Sequence, residues 1–527
     1  MSFKVDLASR LENEIELLKR YGFKIPPQLD REALRKIGAD APALMRFYEK
    51  LRQLPAPDSP LCSTSDYAAI LATSPSDIAL TAPPPEALEN KILGGWLGRA
   101  AGCILGKPLE CGVTLPEIKA ALGKEYPISD YLPLAVTERI TTSKQSSLHP
   151  LTTVPCSREH LAYVMEDDDL NYTVLNLLLL EQKGFEFSTE DVGAIWASYL
   201  PILYTHGAER WSFINYLRGM PIDQVPLYLN PARDAIGAQI RADMFGYVCP
   251  AQPRAAAELA WREASFSHVA DGIYGAMFVA GMIAAAFGAA SMPEIIQAGL
   301  AQIPSRSRMA ELIAQTRQWH LELSDWEAVY ARIKAATPQY SGGHAVNNAA
   351  YVVNALLSAA GNFEKGITIA VMQGHDTDCN GATVGSVLGV FLGAQQLPDK
   401  WVGPLNDRLQ TSLRDMSAVA ISELARRTYR LTMPDEQERR YHISKCIYCG
   451  STAFGAGCPY GPDRKHVHLS DEKHCRFCNS TAYGAGCPYS PTRRHVHGPG
   501  QKCVHCGSSS LGAGCPYSPD HKHNRME

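Results

Sequence analysis

Two acidic clusters, far apart in the chain, carry the residue types best suited to chemistry. One is the turn Gln373-Gly-His-Asp-Thr-Asp-Cys-Asn-Gly381, in which Asp376 and Asp378 stand two apart. The other is Glu166-Asp167-Asp168-Asp169, a row of acids ahead of the apolar run 174–181. Each has an ordinary explanation on its own: solvated turn acids in the first, helix capping and dipole complementation in the second. Capping accounts for one or two of the acids at 166–169 and leaves the rest unexplained. Adjacent carboxylates repel one another, and a hard divalent cation, which takes oxygen ligands, is a natural way to hold them together.

A third set lies in the tail. Cys446, Cys449, Cys458 and His466 recur as Cys475, Cys478, Cys487 and His495, and again as Cys503, Cys506, Cys515 and His523. The spacing is C-x2-C-x8-C-x7-H each time, with Gly-Ala-Gly-Cys-Pro-Tyr around the third cysteine. Three thiolates and an imidazole complete a tetrahedral zinc shell with no open position, so the expected role of three zinc ions is structural. His468, His497 and His521 are alternative ligands, but only the position of His466 is filled in every copy. Each repeat (442–470, 471–499, 500–527) is too short to bury a core, so metal must supply its folding free energy.

The elements that position the acids are helices. Gly381, Gly385, Gly389 and Gly393 recur every four residues after the second acidic turn, and Gly98, Gly102 and Gly106 do so within Lys91–Glu110. A glycine face at that period lets a neighbouring helix come close. Glu110 closes the earlier glycine segment, and a lone acid there is ordinarily solvated. Helical periodicity continues through 191–204, 254–267, 272–290, 292–302, 308–322, 347–360, 363–372 and 409–429, with few alternating β-type runs. The fold class expected is all-α. Gly237–Gly246 reads as a loop-like entry, and 111–163 as an irregular connection able to cover a site. His344, Asn347 and Asn348 lie one helix before Asp376, where substrate contact and helix capping are both open.

Taken in order, GRAAGCILGKPLE at 98–110, EDDDLNYT at 166–173 and GHDTDCNGATVGS at 374–386 resemble the ADP-ribosylglycohydrolase family, supported by 237–246, 267–287 and 347–357. The resemblance implies an orthogonal helical bundle around two magnesium ions, with manganese as a substitute. It also implies metal ligation by Asp167, Asp168, Asp169, Asp376, Asp378 and the position of Cys379. Glu110, Asp168 and Asp376 become the catalytic candidates, with His344, Asn347, Asn348 and Asn380 toward substrate. The implied reaction is metal-dependent hydrolysis of the ribosyl bond in an ADP-ribosylated protein, small molecule or nucleic acid. Two departures stand out. Threonine is usual at the position of Cys379, and a thiol is a poor magnesium ligand, so Asn380 or a water could serve instead. Threonine or serine is common where Asp167 stands. The competing reading is a non-catalytic ADP-ribose-binding adaptor whose zinc repeats bind protein or nucleic acid.

Composition sets the bounds. A chain of 527 residues with 46% hydrophobic and 20% charged residues and net charge −4 is globular and too long for one ordinary core. The expected division is a helical extension over 1–85, the family-like domain over 86–435 and the zinc repeats over 442–527. Residues 1–20 read as a charged amphipathic stretch, not a leader. The apolar run 273–292 reads as a buried helix, not a membrane span. Nine of fifteen cysteines lie in the last 82 residues at metal-ligand spacing, which fits a reducing, cytoplasmic setting. From Tyr441 onward, ten Lys and Arg face five Asp and Glu, consistent with docking to protein or nucleic acid.

Overall fold

The computed structural model describes residues 7–433, except 58, 60, 62, 111–112 and 144–153, together with His495 and the two-residue strands at 455–456, 465–466, 512–513 and 522–523. The chain divides into two compact units, Met1–Thr428 and Tyr429–Glu527. The first unit is all-α, its described strands being only the short antiparallel pair Arg408–Gln410 and Ala418–Ala420.

The first unit begins with α1 (Leu7–Arg20), α2 (Arg31–Ile37) and α3 (Ala41–Arg52). Their apolar faces meet in a small core of Leu11, Ile15, Leu34, Leu44, Phe47 and Leu51, which also takes in Leu229. Gly38 (φ +64°) closes α2, and the Asp40 carboxylate accepts from the Ala43 amide to start α3. The helical extension therefore breaks between Ile37 and Ala41.

The centre of the unit is a pair of helices, α4 (Pro85–Gly106) and α8 (Thr377–Leu392), which run antiparallel at backbone contact. A Cβ added at Gly94, Gly98 or Gly102 would collide with the backbone of Gly389, Gly385 or Gly381, and the reverse holds for each partner. The two glycine stripes face each other residue for residue. Lys91 finishes the seam, its ammonium donating to the free carbonyls of Val390 (3.1 Å) and Phe391 (2.8 Å) at the end of α8. Around this pair lie α5 (Asp168–Lys183), α6 (Asp271–Ala286) and α7 (Ala345–Ala359). Every residue of α6 is buried, as its Gly- and Ala-rich composition suggests. Among the described residues no helix is long and apolar enough to cross a membrane.

Several expectations need correction. The segment 237–246 is not a loop: it forms the short helices Gly237–Arg241 and Asp243–Val248, both buried. The interval 409–429 is not one helix but two short strands followed by a helix at Ile421–Leu431. Its apolar residues are too interrupted by Asp415, Ser417 and the 411–417 turn to sustain a helix from the start. The connection 111–163 contains helices at Leu115–Leu122 and Leu134–Ser143. Periodicity also missed Gly207–Leu217 and Trp326–Ala336.

Candidate functional site

The antiparallel seam brings the end of α4 and the start of α8 to the same place. There the Thr377 hydroxyl donates to the Gly106 carbonyl at 2.8 Å. Glu110 follows α4, while Asp376 precedes and Asp378 opens α8, so the seam itself converts two distant sequence motifs into neighbours. The N-terminus of α5 supplies the rest. Asp167 is its N-cap, its Oδ1 accepting from the Asp169 amide at 2.9 Å. Two helix N-termini therefore point positive ends at one acidic cluster, lowering the cost of gathering it.

Ligand atoms of Glu110, Asp167 and Asp378 lie within 4.8 Å of one another, as do those of Asp169, Asp378 and Cys379, and those of Asp167, Asp168 and Asp169. Asp378 belongs to two of these groups. Glu166 does not join them: its carboxylate accepts from Asn171 Nδ2 at 2.7 Å. Burial pushes Glu110 up to about 8, helped by the charge of Asp167 and opposed by Lys107. Burial likewise raises Asp376 to about 6. Asp169 and Asp378 are pushed well above the usual carboxylate range by burial and by their acidic neighbours.

Two buried cations, neither of which the motifs announce, hold this arrangement. Arg99, on α4, is fully buried beneath the cluster. Its Nη2 donates to the Asp169 carbonyl (2.7 Å) and carboxylate (3.2 Å), its Nε to Thr173 Oγ1 (2.8 Å), and its Nη1 pairs with Asp243 at 2.9 Å. Lys107, also buried, pairs with Asp167 Oδ2. The one available sequence signal was a charge set among apolar, glycine-spaced residues, at Arg99 within α4 and at Lys107 just after its end.

Both oxygens of Asp167 thus have protein partners. Elsewhere the opposite holds: Asp169 Oδ2, Asp378 Oδ1 and Asn380 Oδ1 are buried oxygens with no hydrogen-bond partner. A buried acceptor left unpaired costs about 1–3 kcal/mol, and three such oxygens in the first turns of α5 and α8 suit a bound electrophile. A divalent cation fits that donor set, which is all oxygen. Cys379 fits less well. Burial and the surrounding acids push its thiol up, and it donates toward Asp376.

The remaining predicted residues frame the site. His344 caps α7, its Nδ1 accepting from the Val346 amide at 3.2 Å, while its Nε2 meets Asp234 Oδ2 at 3.1 Å. Asn347 Nδ2 donates to the Ser341 carbonyl (3.0 Å) and Asn348 Nδ2 to the Gly342 carbonyl (2.6 Å). Asn380 Nδ2 donates to Asn348 Oδ1 at 2.8 Å. These side chains fasten the Ser341–Gly343 turn to α8 and to the Asp376 motif. Of the alternatives open for His344, Asn347 and Asn348, the described contacts are those of capping and loop fastening.

Residues 84–437 match the ADP-ribosylglycohydrolase family. The chain belongs to that family. Membership carries a coarse function, hydrolysis of a glycosidic bond in a family that acts on ADP-ribosylated substrates. Among solved structures, one titled "ADP-ribosylglycohydrolase-related protein complex" is similar at 18% identity and a TM-score of 0.40, covering 66% of this chain and 100% of that one. The comparison with curated proteins found no match.

The zinc-ligand cysteines lie outside the described residues, as do the side chains of His466 and His523. What is described is the backbone of two hairpins. Gly455 pairs with His466 and Ala456 with Lys465, and the same register recurs for Gly512 with His523 and Ala513 with Lys522. His495, the corresponding residue of the middle repeat, is buried.

Proposed function

We propose that this chain is a metal-dependent ADP-ribosyl glycohydrolase, removing ADP-ribose from a protein or small-molecule conjugate. The observation that carries the reading is the convergence of Glu110, Asp167, Asp168, Asp169 and Asp378 from three chain segments, with partnerless buried oxygens on Asp169, Asp378 and Asn380. A mere binder of ADP-ribose has no use for such a concentration of charge.

Asp169, Asp378, Asp376, Asp168 and Asn380 would hold magnesium or manganese, and such ions would supply positive charge to bind ribose hydroxyls and polarise a water. The rest is the work of the chain. Glu110, whose carboxylate lies beside Asp167 and Asp378, would take a proton from a bound water. Asp168, intermediate in exposure, stands at the edge of the cluster, where it can orient that water. Arg99 and Lys107 fix Asp169 and Asp167, so that neither carboxylate has to reorganise as charge develops on the sugar. The Ser341–Gly343 turn lies beside Asp376, and Asn348 links it to Asn380.

In the tail, we take Cys446, Cys449, Cys458 and His466, with their two repeats, as three structural zinc sites. The repeated hairpin register supports His466 and His523 over their neighbours, since it returns the histidine strand beside the segment leading to the third cysteine. The basic repeats would serve as a docking array for protein first and nucleic acid second, in a reducing compartment such as the cytoplasm.

The test is ADP-ribose release from Arg-, Ser- and nucleic-acid-linked substrates with magnesium and with EDTA. Magnesium-dependent release from one of them is expected. Full activity in EDTA would refute the metal role. Binding of ADP-ribose with no release from any substrate would make the chain an adaptor.

A further inference from the structure

The N-terminal helices carry no motif, yet one of them is wired to the site. Arg20, the last residue of α1, donates from Nη2 to both oxygens of Asp234 (3.0 and 3.2 Å) and from Nε to Oδ2 (3.3 Å). Asp234 is buried, and its Oδ2 also meets His344 Nε2 at 3.1 Å. His344 caps α7 and ends the Ser341–Gly343 turn. The backbone follows the same route: the Ile236 amide donates to the Gly343 carbonyl at 2.9 Å, and Ala235 bridges His344. Gly343 in turn sits so close to the second acidic motif that an added Cβ would lie 3.6 Å from Asp376 Oδ2.

Asp234 has two charged or chargeable partners, and they come from opposite directions. Burial alone would raise its carboxyl, but His344 and Arg20 together hold it well below the usual range. Without Arg20, a buried carboxylate would keep only the histidine, and the position of that histidine sets the start of α7. A second anchor on α1 provides a contrast. Arg10 stacks on Trp211 at 3.6 Å and donates to the Leu229 carbonyl, so it fastens the helix without touching Asp234 or His344.

We infer that α1 is part of the scaffold of the candidate active site, and that Arg20, acting through Asp234 and His344, is the positioning residue that fixes the Ser341–Gly343 turn against Asp376. The inference rests on reading Asp376 as a site carboxylate. It assigns the helices of residues 7–52 a role in the geometry of the candidate site.

The experiment compares Arg20→Met, Arg20→Lys and Arg10→Met in the full chain by amide hydrogen exchange over residues 342–346 and by Mn2+ titration. In Arg20→Met, exchange at these amides is expected to rise about tenfold and Mn2+ to bind several-fold more weakly. Arg20→Lys should restore both, while Arg10→Met should leave the 342–346 amides as in wild type. Should Arg20→Met not fold, Arg20→Gln gives the same reading. Unchanged exchange in the Arg20 variants, or an equal rise in Arg10→Met, overturns the inference. A wild-type chain that binds no Mn2+ but shows the exchange pattern supports the α1 linkage while removing the cation site.

Discussion

The seam between α4 and α8 allows a prediction whose sign is not the default one. Replacing a helical glycine by alanine normally stabilises a helix by about 1 kcal/mol. At Gly98 the new Cβ would meet the Gly385 carbonyl oxygen, with Gly385 C at 2.9 Å and Gly389 Cα at 3.2 Å. All of these are backbone atoms, so no side chain can swing aside. The helices must part by roughly 1 Å at that level, and the close contacts along the whole seam weaken together. Overpacking of this kind costs about 1–3 kcal/mol and sometimes more. Because only backbone atoms meet the new Cβ, the upper end of that range applies; with the propensity gain subtracted, Gly98→Ala should still lose about 2 kcal/mol, read as a lower urea midpoint at unchanged slope. Gly385→Ala should behave alike. Because one separation relieves both clashes, the double variant should cost less than the sum of the singles. Parting the helices also moves Glu110 away from Asp378, so cation affinity should fall in step with stability. An unchanged or raised midpoint for Gly98→Ala would refute the argument.

Other predictions address the charges. Asp376→Ala/Asp378→Ala should abolish hydrolysis while the chain stays folded by circular dichroism; retained activity would exclude these aspartates as ligands. Lys107→Met leaves Asp167 buried with one oxygen unpaired, a loss of about 3–5 kcal/mol, and added Mn2+ should raise its melting temperature more than it raises that of wild type. Asp234 has a folded-state pKa below its unfolded value near 3.9. Its stabilising contribution is therefore complete above about pH 4 and is lost as pH falls through the folded value. Asp234→Asn should accordingly be less stable than wild type at pH 7, with the gap narrowing in acid. Metal analysis should find three zinc ions per chain, falling by one for each of Cys446→Ser, Cys475→Ser and Cys503→Ser.

Much of this molecule was legible in the sequence because its signals are local and periodic. Helical periodicity named α6 and α7 and the helices at Thr189–Tyr199, Pro253–Ala264, Met292–Leu300, Arg308–Leu323 and Phe363–Met372. Glycines at every fourth position marked α4 and α8 as close-packing faces, and a Gly- and Ala-rich apolar run marked α6 as buried. The two acidic clusters and the repeated C-x2-C-x8-C-x7-H spacing could likewise be read without coordinates, because a ligand set leaves its residue types in the chain. Boundaries were less legible: the 411–417 turn breaks 409–429, because local turn geometry outweighs a period.

Tertiary structure decided the rest. No spacing rule tells which glycine stripe faces which, yet that pairing is what brings Glu110 to Asp378. Nor can the chain announce that Arg99 and Lys107 turn inward to hold Asp169 and Asp167, or that Glu166 turns aside to Asn171. Arg20 and Asp234 are 214 residues apart, and nothing near either one predicts the other. Residue type is a property of the chain, whereas the partner of a buried charge depends on which surfaces exclude water together, and only the packed fold determines that.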